Sequence, residues 1–240
     1  MRSRSSICFA ILAAYFPLGV EAQAPAPNVD GGRLPLQVDT FAVYLIRGHD
    51  TTQTGILVDA LTADRGQLTR IYDQRDLLAG HQLDTIVSRL RDLAPISYRD
   101  QSKERVAQLA FTAGLVDGWT RLPNGESVAV HVPLPTPVFD GTSYDLLVRS
   151  ADLRDSLTLT VPAFIVGPNA VATIVGRVDG SETVNGADCW VFRANFTGMP
   201  VTFWIDKSTR ALRRQLMQPL VDLAILFAAP RPRPRGGRAT

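Results

Sequence analysis

The side chains that could do chemistry in this chain are few and scattered. Cys189 could act as a thiol nucleophile only with a histidine beside it to take its proton. In an extended segment 187–196 it shares a face with Val191, which reads as small buried packing. His49, His81 and His131 stand apart, and none has a second His, Cys or carboxylate at metal-ligand spacing, so no metal site is expected. Gly141-Thr142-Ser143-Tyr144-Asp145 approaches a nucleophile elbow, but it lacks the closing glycine and follows a loop. The same residues match a capping box in which a hydroxyl and an acid three residues on cap one helical turn. Gly176, Gly180 and Gly186 form no phosphate-binding fingerprint; glycines in strands mark bulges and bends. Asn195-Phe196-Thr197 is a glycosylation sequon by pattern, at a strand end. No catalytic residue, cofactor or metal is expected, and a hydrolase lacks its nucleophile and base.

The aromatic residues are more informative. Trp190, Phe192, Phe196, Phe203 and Trp204 concentrate in one stretch and are the candidate ligand-binding residues. Trp190, Phe192, Ala194 and Phe196 share one face of 187–196. In 200–206, Val201, Phe203 and Ile205 point one way, Thr202 and Trp204 the other. Apolar bulk on both faces fits either an ordinary sandwich core or a curved sheet whose concave face surrounds a cavity.

The elements that must position these residues are strands. Leu157, Leu159, Val161, Ala163 and Ile165 alternate with Thr158, Thr160, Pro162 and Phe164; Val128, Val130 and Val132 alternate with Ser127, Ala129 and His131. Further strands are expected at 40–47, 54–62, 66–73, 95–101, 105–111, 115–121, 170–183, 187–196, 200–206 and 210–218. Asp64-Arg65-Gly66, Pro123-Asn124-Gly125, Asn185-Gly186 and Asp206-Lys207-Ser208-Thr209 supply the turns of an antiparallel meander. A helix is expected within Asp140 to Leu153, docking Leu146, Leu147 and Leu153 on the sheet. Leu83, Ile86, Val87, Leu90 and Leu93 fall at helical spacing, yet residues 82–93 sit in a run of hairpins, which tips them towards a strand. The fold class is therefore mainly β: a large curved antiparallel sheet with one or two short helices.

The ends and the charge set the compartment. Arg2 and Arg4 precede an apolar run from Ile7 to Val20, too short and interrupted to span a bilayer, and Ala22 offers a small-x-small cleavage site. Residues 1–22 are read as a signal peptide, 23–37 as a flexible Pro/Gly-rich lead-in, 38–229 as a single antiparallel β domain, and 230–240 as a disordered Pro/Arg-rich tail. The expected location is the periplasm or cell envelope of a bacterium. The chain carries a net charge of +2, but the leader holds +1 and the tail +4, leaving −3 on the body. That argues against nucleic acid as a partner. The tail's arginines could make peripheral contact with an anionic membrane. With Cys8 in the leader, Cys189 has no intramolecular partner, so the fold must stand on its core alone.

Several ordered motifs carry a family likeness. They are Phe41-Ala-Val-Tyr-Leu-Ile-Arg-Gly48 before Thr54-Gly-Ile-Leu57; Asp84-Thr-Ile-Val-Ser-Arg-Leu-Arg-Asp-Leu-Ala-Pro95 leading into Ile96-Ser-Tyr-Arg99; Phe139-Asp140 before the short helix; and Thr202-Phe-Trp-Ile-Asp206 with Thr209-Arg-Ala-Leu-Arg-Arg214. In that order the chain resembles exported bacterial proteins of unknown function whose fold is similar to the outer-membrane lipoprotein carriers. The resemblance implies a half-barrel with helices at its mouth, a strand at 82–90, and a non-enzymatic role handling a lipid or lipoprotein acyl chain. It transfers no binding residue. The alternative expectation is a structural or interaction module that docks a partner through a strand edge or the Arg-rich tail.

Overall fold

A computed structural model describes residues 28–77, 80–134 and 138–230. Within them the chain forms one fifteen-stranded sheet. The first eight strands are β1 (Val38–Arg47), β2 (Asp50–Asp64), β3 (Gln67–Asp76), β4 (Gly80–Arg89), β5 (Pro95–Ser102), β6 (Val106–Thr112), β7 (Leu115–Arg121) and β8 (Ser127–Pro133). Then come β9 (Phe139–Asp140), the helix α1 (Tyr144–Ser150), and β10 (Thr158–Ile165), β11 (Ala170–Val184), β12 (Ala187–Phe196), β13 (Met199–Asp206), β14 (Leu212–Leu220) and β15 (Leu223–Ala228). The expected strands are all present. Residues 82–89 belong to β4, so hairpin context overrides the helical spacing of Leu83, Ile86 and Leu90. The turn chemistry is as read: Arg65-Gly66 and Asn185-Gly186 each place two successive residues at positive φ (46° and 77°; 51° and 84°), the two-residue turn whose twist matches the flanking strands.

The topology dictates the curvature. Across the sheet the order is β8 to β1, then β15 back to β9. Strands β8 and β9 therefore form the two outer edges, yet they are neighbours in sequence. Fifteen strands at ~4.8 Å spacing would spread a flat sheet over roughly 67 Å. The six residue steps from Pro133 to Phe139 reach at most about 22 Å. The sheet must curl until its edges approach, and side chains close the gap that no ladder bridges among the described residues. Phe111 of β6 meets Phe164 of β10 edge-on, centroids 5.8 Å apart. Ile86, Tyr98, Leu109, Val116 and Val130 from the β4–β8 side pack in one cluster with Val138, Phe164 and Val166.

Two features lay outside the sequence reading. Leu223–Ala228 forms β15, which pairs with both β1 and β14 and so joins the two meanders into one sheet. Strand β9 pairs with β10 in parallel, at Phe139↔Ala163 and Asp140↔Phe164, the one exception to the antiparallel rule among the described strands.

Helix α1 is wrapped by the sheet, and all seven of its residues are buried. Leu146, Leu147 and Leu153 dock in the main core as expected, beside Phe41, Val43, Leu57, Leu61 and Val161. The expected capping box does not form. Asp140 instead caps the 3-10 turn Gly141–Ser143 that leads into α1: its carboxylate accepts from the Thr142 N–H at 3.1 Å and the Ser143 hydroxyl at 3.0 Å. Asp145 is instead turned to two arginines, because a carboxylate that enters a core must find cations there. The lead-in is also firmer than expected over its described residues. Val29 bridges Ala151, the Asp30 N–H donates to the Ser150 carbonyl at 3.2 Å, and Leu34 joins the core. Residues 1–22, the first part of the lead-in and the tail beyond Pro230 lie outside the described residues. No described helix is long and apolar enough to cross a membrane.

Candidate functional site

The curled sheet and α1 leave a cavity of about 460 Å³ between them, within the usual ~300–1,000 Å³ of small-molecule sites. Its walls differ in kind. One wall is mostly apolar: Phe196 ends β12, Met199, Val201 and Phe203 come from β13, Met217 from β14, and Ile225 and Phe227 from β15, with Gln215 of β14 set between Phe203 and Phe227. The other is polar: Arg70, Tyr72 and Gln74 alternate inward along β3, Gln82 and Asp84 along β4, with Arg105 before β6. Thr142, Tyr144 and Asp145 close it from the helix side.

Under the polar wall lies a buried ion network. The Arg70 guanidinium donates to both Asp59 oxygens at 2.8 Å and to Asp145 at 2.7 and 3.3 Å. It also reaches the Thr142 carbonyl at 3.2 Å. Arg149 donates to Asp145 at 3.4 Å and to the Arg210 carbonyl at 2.9 Å. All four side chains are at least 95 % shielded. Burial works against charge on Arg70, but Asp145 and Asp59 more than offset it and hold the guanidinium firmly protonated. The network ties α1 to β2 and β3 and thereby positions Tyr144 at the cavity. The Tyr144 ring stands edge-on to Phe196 at 4.9 Å.

Next to it sits a second acidic group. Asp84 and Asp100 face each other across the β4–β5 ladder. Burial, then the Asp100 charge, push the Asp84 carboxyl up to about 7; a hydrogen bond from Gln82 opposes them. Asp100 accepts from Arg105 Nε at 2.7 Å. Burial also raises Asp140, despite its bonds from Thr142 and Ser143.

The five aromatics read from the sequence do not act together. Phe196 and Phe203 line the cavity. Phe192 sits behind them in the core, 6.3 Å from the Tyr144 ring. Trp190 packs at the core margin beneath Lys207, whose Nζ is 4.3 Å from the ring. Trp204 points to the opposite face, where it packs with Cys189 and Val191 and its Nε1 donates to Glu182 at 2.7 Å. Period two accounts for that: Trp204 is one residue out of phase with Phe203 and Ile205. Cys189 is fully buried, and burial raises its thiol. No group of three or more His, Cys, Asp or Glu among the described residues could hold a metal ion.

Sequence reasoning missed Tyr144, Met199, Met217, Ile225 and Phe227 and the whole polar wall. The alternation Leu68, Arg70, Tyr72, Gln74 was available as a signal. An inward arginine, however, looks like an outward one until its partners are known.

Fold and cavity together define a β-barrel-like protein: a single open, curled sheet around one short helix, with a cleft of mixed polarity inside. The chain belongs to the family of proteins of unknown function DUF3108, whose model matches residues 37–220. Its fold is similar to the crystal structure of a β-barrel-like protein of the domain of unknown function DUF1849 from Brucella abortus. The TM-score is 0.54 at 10 % identity, over 85 % of this chain and 98 % of that one. At that identity the likeness is one of fold alone. No curated protein matches this chain.

Proposed function

We propose that this chain binds an apolar or amphiphilic small molecule, such as a lipid or a lipoprotein acyl chain, inside the cavity, as a non-catalytic protein of the bacterial cell envelope. The observation that carries this reading is the cavity with one apolar and one polar wall. An acyl chain laid along Met199, Val201, Met217 and Ile225 takes both its own surface and theirs out of water. Burying roughly 200 Å² of apolar surface contributes about 5 kcal/mol before association costs. The envelope location rests on the leader-like residues 1–22, and the lipoprotein-carrier likeness on the order of the sequence motifs.

A titration with Nile red, a neutral apolar dye, tests the reading. The expected result is a saturable, blue-shifted emission with about one dye per chain, abolished by Met217→Trp, which fills the apolar wall. No enhancement, or an unchanged titration in Met217→Trp, contradicts it. A second reading, docking of a partner by strand addition, is favoured by one feature. Strand β8 is an outer edge of the sheet with mostly exposed side chains, an arrangement open to a further strand.

A further inference from the structure

Two residues that line the cavity each carry a buried polar atom with no partner. Asp84 is 0 % exposed and lines the cavity. Its Oδ2 accepts from Gln82 Nε2 at 2.9 Å, while Oδ1 is unpaired. Tyr144 is 1 % exposed, lines the same cavity, and has an unpaired hydroxyl. Asp100, opposite Asp84 and 1 % exposed, likewise has a bare Oδ1. A buried carboxylate oxygen with no donor is costly, so a donor that reaches it relieves that cost.

The local charge says which donor. Five buried carboxylates, Asp59, Asp84, Asp100, Asp140 and Asp145, meet three guanidiniums, Arg70, Arg105 and Arg149. When all are ionised, two negative charges are uncompensated. Asp59 and Asp145 are taken by Arg70 and Arg149, and Asp140 by the amide and hydroxyl of the helix entry. Asp84 and Asp100 are left to share Arg105, which donates to Asp100.

Resting on the binding reading above, we infer that the ligand is a cationic amphiphile: an alkyl chain with a hydrogen-bearing ammonium head that donates to Asp84 Oδ1. Asp100 adds charge behind it, and the chain lies along the wall of Met199, Val201, Met217 and Ile225. A fatty-acid carboxylate in the same place adds a second uncompensated negative charge to a cluster in which Asp84 and Asp100 share one arginine, Arg105, and leaves the Asp84 and Asp100 acceptors unpaired.

Ionisation of Asp84 gates this recognition. The groups around it are Gln82 on its own strand, Tyr98 and Asp100 on β5, Arg105 before β6, Tyr72 on β3 and Asp140 on β9. Burial and Asp100 place its titration at about 7, so it is neutral below that pH and anionic above. Ammonium binding therefore strengthens as pH rises through 7, until the amine itself deprotonates near ~10.

Calorimetry on the full chain with dodecylamine, dodecanol and dodecanoate, each below its aggregation limit, tests this. At about pH 8 dodecylamine is expected to bind at least roughly tenfold more tightly than dodecanoate, and to weaken towards about pH 5.5. Asp84→Asn is expected to remove the amine preference and leave dodecanol within roughly twofold. Its fold is checked by circular dichroism, and Asp100→Asn, expected to weaken the amine in the same direction, serves if Asp84→Asn misfolds. Equal or tighter binding of dodecanoate, or an amine preference that survives both substitutions, overturns the head assignment and leaves chain binding standing. Binding of none of the three overturns the cavity reading itself.

Discussion

Arg70→Met is expected to lower the unfolding free energy by about 3–5 kcal/mol, measured by urea denaturation. The size follows from what is left behind. Arg70 is 2 % exposed and supplies four hydrogen bonds to two buried carboxylates. Removing it leaves Asp59 charged and unpaired in the core, while Asp145 keeps only Arg149 at 3.4 Å. The cost is that of an orphaned charge, which exceeds the net contribution of the intact pair. The companion variant separates the two: in Arg70→Met with Asp59→Leu no unpaired charge remains on β2, and most of the loss should be recovered. A single variant costing under about 1 kcal/mol would mean that water reaches Asp59 and that the network does not anchor α1.

Phe192→Ala is expected to cost about 3–5 kcal/mol, the range for emptying a fully buried aromatic site. Phe192 is 0 % exposed on β12, and it depends on a glycine across the ladder. A Cβ on Gly176 would lie 2.4 Å from the Phe192 ring, closer than such atoms approach. Gly176→Ala alone should therefore cost about 1–3 kcal/mol through overpacking. In the Phe192→Ala background most of that penalty should be relieved, because the new methyl then faces vacated space and only the Ala194 Cβ, at 2.9 Å, still crowds it. The double-mutant cycle reads this as a coupling of more than about 1 kcal/mol. Additive losses would place the Phe192 ring elsewhere.

These two sites show what the sequence could and could not convey. The strands were legible because each is a local property: alternation in Leu157 to Ile165, positive-φ turns at Arg65-Gly66 and Asn185-Gly186. The phase of Val201, Phe203 and Ile205 was legible for the same reason. Closure of the sheet was not, because it depends on β15, a short strand of Leu, Ala, Ile and Phe whose partners are β1 and β14. Nothing local to Leu223–Ala228 says that it pairs with a strand almost two hundred residues earlier. The polar wall was hidden for a related reason. Arg70, Asp84 and Asp100 look like ordinary surface residues of an amphipathic strand, and only curvature turns their face inward. Asp145 illustrates the conflict directly: capping-box spacing assigned it to a helix end, but a buried Arg70 is the stronger partner.

Ligand binding by this chain requires a cavity that takes an alkyl chain. The most direct measurement is anomalous diffraction from crystals grown with 12-bromododecanol, whose neutral head leaves the question of charge aside. The expected result is a bromine peak against the apolar wall, among Phe196, Met199, Met217 and Ile225, with the hydroxyl towards the β3–β4 side. A cavity filled by rearranged side chains, with bromine bound only on the outer face near Trp204, would contradict it.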